Sequence, residues 1–144
     1  MKRLMIAVLA MIMTAAGAYA ESLPDLKGTW TGPFKTAILG HNPHHPGNET
    51  IADPPRIRQI EFTVDIVGQD GRLVWGSSWS KPESKDPFVG TITADGKRFL
   101  AADTDGSMDA DISNPELVDL CYTQTSLGPS QAIVASCGQL KRAK

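Results

Sequence analysis

Three histidines crowd one short stretch, His41-Asn42-Pro43-His44-His45-Pro46. Imidazole nitrogens spaced in this way could bind copper, zinc or nickel, with Glu49 or Asp53 as the carboxylates near enough in sequence to complete a shell. Against a metal site, the prolines stiffen the segment, no Cys or Met lies close, and no fixed-spacing zinc motif is present. His41, His44 and His45 therefore read either as ordinary solvated loop residues or as a weak metal site. A second set of candidates is acidic. Asp109 and Asp111 alternate along one strand-like run, and Asp119 lies on the next. Met108, Ala110 and Ile112 occupy the opposite face and read as core, which turns the carboxylates to solvent. With the faces reversed, the same residues would be paired carboxylates in a cavity, with shifted pKa values suited to acid–base work. No Gly-x-Ser-x-Gly elbow, phosphate loop or identifiable Ser-His-Asp set is present.

Trp75 and Trp79 are four residues apart in an extended run and share a face with Ser77 and Leu73. Lining a cavity, they would form an aromatic wall for an apolar or ring-shaped ligand; facing outward, they would be surface aromatics at a subunit interface; a third reading makes them core filler. Trp75, Trp79, Ser77 and Tyr122 are the ligand-binding candidates. Trp30, flanked on its own face by Gly28 and Gly32, reads as structural. Cys121 and Cys137 are the two cysteines of the chain. A hairpin turn at Leu127-Gly128-Pro129-Ser130 has its centre near Pro129 and sets them opposite each other, so a cross-strand disulfide fits. The alternative is two buried thiols; the Cys-x-x-Cys spacing of a redox pair is missing.

The elements that must position these residues follow from the rest of the chain. Lys2 and Arg3, the uncharged apolar run Leu4 to Ala16, and Ala18-Tyr19-Ala20 have the form of a secretory signal cleaved after residue 20. The apolar run is short for a membrane span. Export would place the protein in the periplasm or outside the cell, where a disulfide can form. The remaining residues 21–144 have the size of one domain. Without Lys2 and Arg3 the net charge moves from −2 to about −4. With no basic cluster beyond Lys141-Arg142-Ala143-Lys144, nucleic acid is excluded as an expected partner.

No sustained 3.6-residue apolar period occurs after the leader, and period-two alternation recurs instead. Ile60, Phe62, Val64 and Ile66 fall on one face, with Glu61, Thr63 and Asp65 on the other. Asp70-Gly71, Asp95-Gly96 and Asp105-Gly106 lie between such runs and predict type I′ hairpin turns. Strands are expected at about 27–37, 56–67, 72–80, 87–94, 97–104, 107–113, 116–126 and 131–142, with Asn114-Pro115 turning between the sixth and seventh. Eight strands joined in sequence order make an all-β, antiparallel up-and-down barrel, whose closure removes both exposed edges. Residues 39–55, rich in Pro, His, Asn and Gly, make one long loop of the kind that often serves as a lid.

The Gly28-Thr29-Trp30 opening, the domain size, the eight-strand meander and the Trp75-x-x-x-Trp79 pair resemble the calycin superfamily, with avidin- and streptavidin-like barrels the nearest match. The resemblance implies an eight-stranded barrel with a ligand cavity at its open end, and homo-oligomers packed barrel to barrel are among its implications. It also implies, from lipocalins, that Arg142 covers Trp30. Departures are evident: in avidin-like barrels the Trp-x-x-x-Trp segment comes later than the third strand, and Gly106 stands where the lipocalin motif echoed by Thr104-Asp105 has an aromatic. The expectation is an exported barrel that binds a small, partly apolar molecule, needs no cofactor, and meets no membrane after signal cleavage. The alternatives are a barrel enzyme of isomerase or cyclase type using acidic residues, and a secreted protein-binding or inhibitor module.

Overall fold

A computed structural model describes residues 23–40, 54–125 and 132–144. It contains eight strands: β1 (Gly28–Gly40), β2 (Arg56–Asp70), β3 (Leu73–Trp79), β4 (Asp86–Ile92), β5 (Arg98–Ala102), β6 (Gly106–Asn114), β7 (Leu117–Thr125) and β8 (Ala132–Arg142). Each pairs antiparallel with its sequence neighbours, and β1 pairs with β8 from Trp30↔Arg142 to Gly40↔Ala132, so the sheet closes into the expected barrel. Strand positions agree with the alternation to within a few residues. The long loop begins later than expected, because Leu39 and Gly40 pair with Ile133 and Ala132 and so extend β1.

Side chains alternate between lumen and exterior along every strand. Trp30, Phe34 and Ile38 of β1, Phe62, Val64 and Ile66 of β2, and Met108 and Ala110 of β6 are buried in the lumen. A bulge between Ile66 and Gly68 makes Val67 the extra residue, and the Trp75 ring lies over Gly68.

The turns correct one expectation. None of Asp70, Asp95 and Asp105 has a positive φ, so none of the three Asp-Gly steps forms the centre of a type I′ turn. Asp70 instead pairs with Leu73, and the two-residue loop is Gly71-Arg72, with the positive φ of 55° on Gly71. Glycine at the first central position is the type II′ pattern, which also matches strand twist. Asp95-Gly96 closes a turn in which the Gly96 amide donates to the Thr93 carbonyl at 3.0 Å. At Asp105-Gly106 the turn is organised one step earlier: the Asp103 carboxylate accepts from the amides of Asp105 (2.9 Å) and Gly106 (2.6 Å).

One end of the barrel is plugged. Residues 23–27 cross it, the Trp30 indole N–H donates to the Leu26 carbonyl at 2.9 Å, and the Arg142 guanidinium lies 4.3 Å above the Trp30 ring. Arg142 also donates to the carbonyls of Asp25 (2.8 Å), Pro115 (3.1 Å) and Lys27, tying the entering segment to the β6–β7 turn and the last strand. Trp30 thus fills this end of the barrel, and the Arg142 guanidinium lies across its ring.

Candidate ligand-binding site

The lumen changes character along its length. At the plugged end it is wholly apolar, filled by Leu26, Trp30, Phe99, Leu120 and Leu140. In the middle, Phe34 and Phe62 pack with ring centroids 4.8 Å apart. Toward the open end the same inward positions become polar. Thr36, Ser78, Gln124 and Ser136 are 1–5% exposed, which places four polar side chains inside the barrel where a purely structural core would hold hydrocarbon.

Strand register assembles this belt. Thr36 of β1 faces Ser136 of β8, which faces Tyr122 of β7; across the barrel, Ser78 of β3 faces Asp86 of β4. The β5–β6 turn adds Asp103 and Asp105. Together with Ile60, Phe62 and Val134 these residues line a small cavity of about 40 Å³ that opens at the mouth. The Thr36 and Ser136 hydroxyls bond each other at 2.6 Å, Tyr122 donates to Asp103 at 3.4 Å, and Gln124 donates to Asp105 at 3.4 Å. Tyr122 can lean over β6 because position 106 is glycine: a Cβ there would stand 2.7 Å from the phenol oxygen and 2.3 Å from the Thr123 carbonyl oxygen. The Ser78 hydroxyl has no hydrogen-bond partner among the described residues.

Burial pushes the Tyr122 phenol well above the usual tyrosine range, and the charges of Asp103, Asp105 and Asp86 and the hydrogen bond to Asp103 push it the same way. Tyr122 is therefore a fixed donor at the cavity wall. The native state keeps this proton while the unfolded chain loses it above about pH 10, so the Tyr122 contribution to stability is present below that pH and falls as pH rises beyond it. Denaturant titrations across that range should show the decline in the wild type and a shallower one in Tyr122→Phe. Equal slopes would contradict this assignment.

The sequence-derived candidates scatter. Tyr122 lies in the cavity wall. Trp79, half-buried at the end of β3, borders the mouth, with the Lys85 ammonium 4.1 Å over its ring. Trp75 and Ser77 correct the expectation of a shared aromatic wall: Val74 and Ser78 take the inward positions of β3, so period two turns Trp75 and Ser77 outward, with Trp75 43% exposed. Asp109 and Asp111 are on the exterior beside Arg98, whose guanidinium pairs with both, and Asp119 accepts from Gln139 at 3.2 Å, also outside. Asp109 and Asp111 are solvated ion-pair partners and Asp119 is a solvated hydrogen-bond acceptor; all three lie on the exterior of the barrel. Cys121 and Cys137 form the expected disulfide, on the outer face. His41, His44 and His45 lie outside the described residues, as does the proposed leader.

The cavity acids, Asp86, Asp103 and Asp105, were missed by sequence reading, which singled out acidic pairs on regular alternation. The available signal was the Asp103-x-Asp105-Gly106 turn, which ties a carboxylate to a strand end. Among the described residues no three His, Cys, Asp or Glu side chains converge closely enough to hold a metal ion.

No protein family and no curated protein matches the chain. Among solved structures it is similar to the S-type phycobiliprotein lyase of Guillardia theta, at 11% identity and a TM-score of 0.37, over 83% of this chain and 89% of that one. A similarity this distant transfers neither site nor activity.

Proposed function

We propose that this protein binds a small, partly apolar molecule in the open-end cavity. The observation that carries the reading is the split lumen: an apolar plug at one end and a belt of buried polar side chains above the Phe34–Phe62 pair at the other. Small-molecule sites commonly combine apolar walls with a few converging polar groups. Phe62, Ile60 and Val134 would hold the apolar part, and Ser78, Tyr122, Gln124 and the rim carboxylates would orient the polar part. The charged-then-apolar leader supports binding after export, in the periplasm or outside the cell.

Native mass spectrometry of the protein purified from its own host tests this. The expected result is an added mass that leaves on mild denaturation and that a bulky lumen variant, Ser136→Leu, no longer carries although it still folds. A bare protein, or an added mass retained by that variant, would count against binding in this cavity.

A further inference from the structure

The outer surface of the barrel is divided as sharply as its lumen. Six strands each turn an exposed charge to solvent: Lys35 of β1, Glu61 of β2, Arg98 of β5, Asp109 of β6, Asp119 of β7 and Lys141 of β8. β3 holds no charged residue, and residues 87–92 of β4 hold none either. On this side Val67, Leu73, Trp75, Val89 and Leu100 are between 39% and 68% exposed. Register makes them one patch. Trp75 pairs with Val89, and Thr91 pairs with Leu73 on one side and Leu100 on the other. Val67 bulges from β2 next to Gly68, the partner of Trp75. A Cβ at position 68 would stand 2.2 Å from the indole, so glycine there lets the ring lie down on the sheet. The face is therefore flat as well as apolar.

Apolar residues scattered singly over a surface need no explanation, but a contiguous patch marks a contact. These five side chains leave on the order of 500 Å² of apolar surface open, near the upper end for a monomer. Two such faces laid together would cover roughly 1,000 Å², the area that a specific interface must reach. The strand ends beside the patch carry charges of both signs, Asp70 and Arg72 at one end and Lys81, Glu83 and Lys85 at the other. No one-signed rim is present to draw an anionic membrane or a nucleic acid. A mixed rim around a charge-free centre lets a face meet its own copy without a single-signed repulsion.

We propose that two copies of this chain pack through the outer face of β3 and β4 as a symmetric dimer, one sheet against the other with Trp75 near the centre. The proposal is independent of the binding reading above, because the lumen lies on the other side of the sheet. Sedimentation velocity of the purified protein from roughly 1 to 100 µM tests it, and a dimer is expected to form within that range. Val89→Glu and, separately, Thr91→Arg each place a charge in the centre of the face, and each should weaken association at least about tenfold. Thr91→Arg removes no apolar side chain, so it tests the face even where loss of Val89 disturbs the strand. Lys141→Glu, four strands away around the barrel, should leave the dimer unchanged. Circular dichroism and melting verify that each variant is folded. A monomer at every concentration would overturn the proposal, and capture of that monomer on anionic vesicles would assign the face to a membrane instead. A dimer that both face variants retain, or that Lys141→Glu weakens equally, would overturn it by placing the contact elsewhere.

Discussion

Trp30→Ala is expected to cost about 3–5 kcal/mol of folding stability, the range for truncating a buried aromatic, and to lower Tm on the order of 10–20 °C. The residue is 2% exposed and makes three contacts at the plugged end. Its ring fills the end of the lumen, its indole N–H holds the Leu26 carbonyl, and its upper face carries the Arg142 guanidinium. Truncation leaves a cavity, an unbonded carbonyl and a cation without its aromatic partner. Arg142→Ala alone should cost about 1.5–3 kcal/mol, because its bonds to backbone carbonyls are charge-assisted. The two losses should not add: in the Trp30→Ala background, Arg142→Ala should cost less by about 0.5–3 kcal/mol. Denaturant unfolding of the four proteins measures the coupling. Full additivity would show that Arg142 fastens the entering segment independently of the plug, and a loss below about 1 kcal/mol for Trp30→Ala would show that the lumen closes over the gap.

The same end of the molecule explains why the fold was legible before the site. Alternation of Ile60, Phe62, Val64 and Ile66, short turns, and the Gly28-Thr29-Trp30 start each describe one strand or one turn, which is information a local stretch can hold. Closure then follows from eight neighbours paired in order. The candidate site has no such local form: Thr36, Ser78, Asp86, Asp103, Tyr122 and Ser136 come from six places in the chain and meet only after closure. Face assignment is the second difficulty. In β3 the outward set holds Leu73, Trp75 and Ser77 and the inward set Val74, Gly76 and Ser78, so composition alone does not choose the face. Register settles it, because Val74 and Ser78 are held opposite lumen positions of β2 and β4. A polar lumen inverts the inside-apolar rule at the very strand where a binding pocket needs it inverted.

Removing the Cys121–Cys137 bridge, by reduction or by paired Cys→Ala substitution, is expected to lower stability by about 3 kcal/mol, the entropy of a closed loop of this length in the unfolded chain. The half-cystines are 16 residues apart in sequence and face each other in the β7–β8 pairing, with Cα atoms 4.1 Å apart on the outer face. Their neighbours in that register are Tyr122↔Ser136 on one side and Leu120↔Gly138 on the other, both inside the barrel. The bridge therefore does more than constrain the unfolded state. A one-residue slip of β8 would carry Ser136 out of the lumen and break its bond to Thr36, so an external crosslink fixes the internal belt. The bridged and unbridged proteins should have similar far-ultraviolet circular dichroism, since the other seven pairings are intact. Amide exchange should then accelerate first along β7 and β8, while the plug around Trp30 keeps its protection. Uniform acceleration over all strands would mean that the bridge stabilises the barrel only as a whole and has no special hold on the site.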